Sequence, residues 1–169
     1  MRQKNPWYDI KELKVRSFIG EIMLEIVVAR QVKTSVFTNK KIVEVSKAVL
    51  SKEGIKKALI SVALLDDKDI HAANKQFLDH DEPTDVITFP LDEEKNKLTG
   101  EILIGVGVAR RHAKNARHLL EHELTLYLIH GLLHLCGFDD MDPASRKKMR
   151  KRERFYLSRL GLPDIAPLQ

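Results

Sequence analysis

The spacing of apolar and polar residues divides the first half of the chain into strands and helices. "EIVVARQV" (25–32) is short and rich in β-branched residues, which predicts a strand. "TNKKIVEVSKAVLSKEG" (38–54) repeats apolar residues at helical spacing between a Thr-Asn cap and a glycine, and this predicts an amphipathic helix. The apolar run "KALISVALLDD" (57–67) predicts a buried strand, and "DKDIHAANKQFLD" (67–79) predicts a short helix.

The second half contains two further strands and is then helical. "EPTDVITFP" (82–90) predicts a strand bracketed by prolines, and the charged "DEEKNKLTG" (92–100) predicts a loop. "GEILIGVG" (100–107) predicts a fourth strand. The pattern after it predicts three helices, over 107–117, 119–136 and 143–160.

The predicted order is therefore βαβαββααα, without an internal repeat or a low-complexity linker. This order indicates a single α+β domain, in which a small mixed four-stranded sheet is packed with about five helices. Residues 1–22 are polar and mixed, and we expect them to form an N-terminal extension to a domain that covers 23–169.

Composition narrows the class of protein. With 169 residues, of which 43% are hydrophobic and 31% charged, the chain fits one globular domain. A net charge of +5 favours an anionic partner, such as nucleic acid or an anionic membrane surface. Cys136 is the only cysteine, which excludes an internal disulfide and fits a reducing cytosol. No apolar run approaches the ~18 residues of a membrane span. We therefore expect a cytoplasmic protein with no membrane partner.

The stretch "LIHGLLHLCGFDD" (128–140) carries the candidate chemistry. His130 and His134 are four residues apart, so they share one face of a helix. Gly137 can end that helix in a left-handed turn, after which a carboxylate at 139 or 140 could reach the same point. Two imidazoles and one carboxylate, with a fourth position open to water, are typical of catalytic zinc. The alternative is a set of unrelated polar residues at a helix end, but unpartnered imidazoles in this apolar helix would be costly.

Two neighbouring patterns need separate interpretation. In zinc proteases with the signature H-E-x-x-H, a glutamate follows the first histidine, whereas this chain has Gly131 there, so such a protease is disfavoured. His118 and His122 are also four residues apart, but they lie among charged residues. We interpret those two as part of a solvated face.

At this point the chain resembles a known family. "HGLLHLCGFDD" (130–140) is similar to the YbeY endoribonuclease signature His-Gly-x-Leu-His-Leu-x-Gly-Tyr/Phe-Asp-His at every named position but the last. "EPTDVITFP" (82–90) resembles the strand Pro-Thr-Asp-Val-Leu-Ser-Phe-Pro of that family. Asn74, "GEILI" (100–104), Met149 and Glu153 also lie where the family has similar residues, so the resemblance covers about residues 25–160.

The resemblance implies a metal-dependent, single-strand-specific endoribonuclease. The family acts in ribosomal RNA processing, including 3′ maturation of small-subunit RNA, and in ribosome quality control, with zinc held by three histidines. The first two histidine ligands of the family correspond to His130 and His134 in this chain. The resemblance therefore implies that these two residues bind the metal and are catalytic. The third ligand would be Asp140, a legitimate but anionic zinc ligand, so another divalent ion such as manganese would be better tolerated. Asp139 matches an aspartate of the family. We expect it to cap the turn or to hydrogen-bond to a metal ligand without binding the ion itself.

The predicted RNA contacts are more dispersed. After Asn74 the family has Tyr-Arg, with the arginine placed to hold phosphate, but this chain has Phe77-Leu78. The basic residues that could replace that arginine, or else are plain surface charges, are Lys75, Arg110, Arg111 and Lys114. "RKKMRKRERF" (146–155) has seven basic residues in ten and predicts either a solvated face or a rim for the RNA backbone. The rim residues would be Lys147, Lys148, Arg150 and Lys151. In the family the corresponding strand start lines the cleft, which would place Thr84 and Asp85 on its floor.

The expected partners are single-stranded or ribosomal RNA and the small ribosomal subunit. Two other functions stay open from the sequence. One is a catalytically weak ribosome- or RNA-binding protein with a structural metal site, which the substitutions at Asp140 and Leu78 motivate. The other is a metal hydrolase of another ester or amide, because a fold does not fix its substrate.

Overall fold

The computed structural model describes residues 13–19, 22–94 and 97–167. Its strands are β1 Leu13–Ile19, β2 Ile22–Arg30, β3 Lys57–Leu65, β4 Val86–Glu94 and β5 Lys97–Gly105. Its helices are α1 Asn39–Lys52, α2 Asp67–Leu78, α3 Val106–Ala116, α4 Leu120–Leu135 and α5 Pro143–Arg159. The predicted α+β class, the mixed sheet, the five helices and the element order from β2 onward are confirmed.

The sheet has the strand order β1-β2-β3-β5-β4. Strands β2, β3 and β5 are parallel, and β1 and β4 are antiparallel strands at the two edges. The sheet therefore has one strand more than the four expected. The additional strand is β1, which pairs with β2 from Leu13↔Val28 to Ile19↔Ile22 and lies within the segment expected to be an extension. Pairing satisfies the backbone groups of β2 that would otherwise form an open edge.

The charged stretch at 92–100 is not the loop that its composition predicted. Strand β4 continues to Glu94 and β5 begins at Lys97, with a register shift between Pro90 and Asp92. A sheet edge is held by its backbone hydrogen bonds, and it tolerates charged residues because water reaches it. The prediction was wrong because it weighed side-chain polarity alone.

The two faces of the sheet are covered unequally. The larger apolar cluster joins alternate residues of the central strands, such as Ile102 and Ile104, to α1, α4 and α5. Leu103 points the other way, into a smaller cluster with Ile70 of α2. Helix α4 is buried along nearly its whole length because it packs on the sheet and on neighbouring helices. None of the described helices combines the length and the apolar character needed to cross a bilayer.

Candidate metal centre

The end of α4 brings the predicted ligands together. Gly137 adopts a left-handed conformation with φ of 92°, and the N–H of Phe138 donates to the carbonyl oxygen of Leu133 at 3.0 Å. This pair of features closes the helix and reverses the chain. The carboxylate of Asp139 then accepts hydrogen bonds from the backbone N–H groups of Asp140 (2.8 Å) and Met141 (3.3 Å). The turn therefore directs the side chain of Asp140 back toward the helix.

The three candidate ligand atoms converge on one point. Nε2 of His130 lies 2.9 Å from Nε2 of His134. The Asp140 carboxylate lies 3.6 Å from the first of these atoms and 3.7 Å from the second. Ligand atoms about 2.0–2.2 Å from a tetrahedral zinc ion are separated by about 3.3–3.6 Å. The two distances to Asp140 agree with this range to within about 0.1 Å, and the two nitrogens lie somewhat closer together than an ion between them would place them. Within the described part of the chain, no other three His, Cys, Asp or Glu residues bring their ligand atoms this close together.

The hydrogen bonds made by Nδ1 of each ring determine how Nε2, the candidate ligand atom, can act. Nδ1 of His130 lies 2.6 Å from the carboxylate of Glu153, and Nδ1 of His134 lies 3.0 Å from the carbonyl oxygen of Phe138. Both partners only accept, so each Nδ1 is the donor, and in the neutral form that binds a metal each ring has its lone pair on Nε2. Burial, followed by the charge of His130, lowers the pKa of His134 below its ordinary value, which favours the neutral form.

When both rings are neutral, two lone pairs and a carboxylate therefore face one another with no hydrogen between them. Such an arrangement is repulsive unless a cation lies at the centre. The rings of His130 and His134 are nearly perpendicular, at 89°, which lets both Nε2 atoms point inward. Two nitrogens and one oxygen are a donor set that suits zinc and similar divalent ions.

Glu153 is a part of the site to which sequence reasoning assigned no role. Its side chain is 0% exposed, and Arg150 donates to both of its carboxylate oxygens, at 2.7 and 2.8 Å. Burial alone would raise the pKa of Glu153, but the hydrogen bonds from His130 and Arg150 outweigh it and leave the pKa below the ordinary value. The feature of the sequence that could have pointed to Glu153 is that it is the one acidic residue among the many basic residues of α5.

The predicted cleft residues at the start of β4 form a local hydrogen-bonded group. The Thr84 hydroxyl donates to the Asp85 carboxylate at 3.0 Å, and the same carboxylate accepts from the N–H of Val86 at 2.8 Å. Two residues beyond Val86, Thr88 of β4 lies under α4, since a Cβ added to Gly131 would come within 3.2 Å of its Cγ2. Their role toward RNA stays a prediction.

The predicted basic residues fall into two groups. Arg111 is paired with Asp67, Lys75 with Asp81 at 2.9 Å, and Arg150 with Glu153. The others are exposed and have no acidic partner among the described residues: Arg110, Lys114, Lys147, Lys148 and Lys151. The second group is the one available to an anionic ligand.

The interpretation of His118 and His122 as a solvated face is wrong. The ring of His118 is 14% exposed and contacts the buried carboxylate of Glu123. His122 is half-buried, and its buried Nδ1 has no hydrogen-bond partner among the described residues. Of the charged residues around them, Glu123 is buried because α1 and α3 pack against α4, whereas Arg117 is exposed.

The fold and the donor set together define an α+β protein with a candidate centre for a single metal ion. The family model described as Endoribonuclease YbeY matches residues 16–161, and the chain belongs to this family. The resemblance carried by the histidine signature is therefore confirmed.

Relatives and a solved structure agree with this assignment. The chain is 38% identical to Endoribonuclease YbeY of Desulfitobacterium hafniense, over 70% of this chain and 82% of the relative. It is 36% identical to Endoribonuclease YbeY of Aquifex aeolicus, over 72% of this chain and 83% of the relative. A solution structure of a Thermotoga maritima protein superposes with a TM-score of 0.57 and 28% identity, over 82% of this chain and 92% of that one.

Proposed function

We propose that this protein is a metal-dependent, single-strand-specific endoribonuclease that processes ribosomal RNA in the cytoplasm. Its cofactor would be one zinc ion, or another divalent ion because Asp140 replaces a third histidine. Its substrate would be the 3′ region of small-subunit RNA, with the small ribosomal subunit as partner. The observation that carries the proposal is the convergence of two imidazole lone pairs and one carboxylate, in a member of the Endoribonuclease YbeY family.

The ligands present one open side to substrate. The side chains of His134 and Asp140 are 25% and 27% exposed, whereas that of His130 is 13% exposed. A divalent ion held here supplies Lewis-acid activation of the scissile phosphodiester. The residues themselves orient the site: Glu153 and the Phe138 carbonyl hold the two rings, and the Asp139 turn holds the third ligand.

The free lysines of α5 would hold the RNA backbone. Lys147, Lys148 and Lys151 follow the Asp139–Asp140 turn closely in sequence and are exposed. Lysines without acidic partners attract phosphate and release counterions from it, which gives affinity without base preference. This fits a substrate that is not selected by its base sequence.

The direct test is cleavage of a labelled single-stranded RNA by purified protein. We expect cleavage that a chelator abolishes and that added Zn²⁺ or Mn²⁺ restores, with a double-stranded RNA of the same sequence left intact. His134→Ala should abolish cleavage, whereas His112→Ala, which alters an exposed histidine on α3, should not. Chelator-insensitive cleavage, or full activity in His134→Ala, would refute the proposal.

One observation favours a second candidate, an RNA-binding protein with a structural metal ion and weak catalysis. Leu78 stands where the family has its phosphate-holding arginine, and it is 49% exposed at the end of α2. Lys75 and Arg111 already have acidic partners, so neither is a free replacement. Leu78→Arg discriminates the two functions: a large gain in cleavage rate without a change in metal content would favour the second candidate for the native chain.

A further inference from the structure

The basic helix α5 contains three arginines that pair with carboxylates of the described chain, and a fourth, Arg146, that donates to the backbone carbonyl oxygen of Asp140 at 3.2 Å. Arg150 donates to Glu153, Arg152 to Glu53 at 2.5 Å, and Arg154 to Asp164 at 3.0 Å. Among the residues that the structure describes, the lysines of the same stretch have no acidic partner. The helix therefore combines structural arginines with free lysines, although its sequence reads as one uniform basic run.

Among the three carboxylate pairs, only that of Arg150 includes a carboxylate that also contacts a candidate ligand ring. Its partner Glu153 also receives the Nδ1–H of His130, at 2.6 Å. The chain of contacts thus runs from Arg150 through Glu153 to His130. The ring nitrogen that remains, Nε2, is the one that lies 2.9 Å from its counterpart on His134.

We propose that Arg150 and Glu153 are positioning residues for the metal centre, and that Arg150 is not an RNA contact. Glu153 fixes the orientation and the tautomer of the His130 ring, so that the Nε2 lone pair faces the ion. Arg150 holds the Glu153 carboxylate in place. The inference rests on the proposed function, since the centre must bind a metal for this positioning to matter.

Burial explains why the site needs both residues. A carboxylate with no solvent exposure is strongly destabilised unless it is paired and hydrogen-bonded. In the neutral form that binds a metal, the ring of His130 provides one hydrogen bond but no positive charge. Arg150, whose side chain is 18% exposed, supplies the charge and two further donors. The pair can therefore stay ionised beside the ring, where a charged acceptor raises the basicity of Nε2 toward a metal.

The experiment measures zinc affinity by competition with a chromophoric chelator in the wild type, Glu153→Gln and Arg150→Met. Glutamine can still accept from Nδ1–H but has no charge, and we expect it to weaken zinc binding about 10–100-fold. Arg150→Met should weaken zinc binding by less, and Arg150→Lys should restore part of the loss. Glu53→Gln is the matched control: it removes the carboxylate partner of Arg152 on the same helix, so it should lower stability and leave zinc affinity unchanged.

A second measurement needs no metal. Imidazole ¹⁵N shifts of the metal-free wild type should show His130 protonated on Nδ1, and this signature should weaken in Arg150→Met. Unchanged zinc affinity in Glu153→Gln, or an Nε2-protonated His130 in the wild type, would overturn the inference. Failure of the wild type to bind zinc would overturn the proposed function instead. The ¹⁵N shifts of His130 would then still show whether Glu153 and Arg150 hold the ring in the inferred tautomer. If Glu153→Gln does not fold, Arg150→Met and the wild-type shifts decide alone.

Discussion

Gly131 offers a test of how tightly the metal centre depends on packing beneath it. A Cβ added at this position would lie 2.9 Å from Cγ2 of Ile102, 3.2 Å from that of Thr88 and 3.3 Å from that of Val86. Carbon atoms pack best at about 3.5–4.0 Å, so Gly131→Ala requires α4 or the strands to move by about 0.6 Å. Ile102 is fully buried and its branched side chain cannot turn away freely.

The expected effect on stability combines two opposing contributions. Alanine gains about 1 kcal/mol of helix propensity over glycine, while overpacking of a filled core costs about 1–3 kcal/mol. Gly131→Ala should therefore lower the free energy of unfolding by about 0–2 kcal/mol. It should also weaken zinc binding, because His130 is adjacent and functional ligands tolerate displacements of only about 0.5 Å.

The assay is urea unfolding of the metal-free protein together with zinc affinity by competition. Ile102→Leu removes the nearest methyl group at almost constant volume, so Gly131→Ala/Ile102→Leu should be more stable and bind zinc more tightly than the sum of the single changes predicts. A Gly131→Ala protein that gains about 1 kcal/mol and keeps its zinc affinity would refute the reasoning, since that is the result for an open helix position.

Further changes test other parts of the account. Zinc affinity should fall only below pH 6.5, because the proton competes for Nε2 of His134 and burial places the pKa of that ring under its ordinary 6.5; a loss beginning well above pH 6.5 in an affinity titration would contradict this. Burial raises the pKa of the Cys136 thiol to about 12, so a thiol reagent should label the folded protein slowly and the urea-unfolded protein quickly. Asp140→His should raise zinc affinity relative to manganese, as measured by competition between the two ions, whereas equal effects on both would count against Asp140 as a ligand. Lys147→Met/Lys148→Met should make the salt dependence of single-stranded RNA binding less steep by about 0.7 per lost phosphate contact, and an unchanged slope would exclude these lysines from the interface.

The elements with strong periodicity were predictable from the sequence. The run at 57–67 and the helix at 38–54 were found within about two residues, because their apolar spacing and their caps act locally. Strand β1 carried a similar signal, since Leu13 and Val15 alternate with Lys14 and Arg16. The segment was not predicted as a strand because it is short and its neighbours in sequence are polar. Its pairing with β2 is what makes it a strand.

The candidate ligands were predictable for a similar reason. A spacing of four residues, a glycine and an adjacent acidic pair are all local features, and the structure brings His130, His134 and Asp140 together. Glu153 lies 23 residues from His130 in the chain, so no local pattern could reveal their contact. Arg150 was grouped with the lysines because a sequence gives the charge of a side chain but not its partner.

The most direct test of the account is the location of the ion itself. Crystals grown with zinc and measured at the zinc absorption edge should show one anomalous peak, bonded to Nε2 of His130, Nε2 of His134 and a carboxylate oxygen of Asp140, at about 2.0–2.2 Å. The central claim would be contradicted by a zinc ion bound elsewhere on the chain. It would also be contradicted by crystals in which these three side chains stay free of metal at saturating zinc.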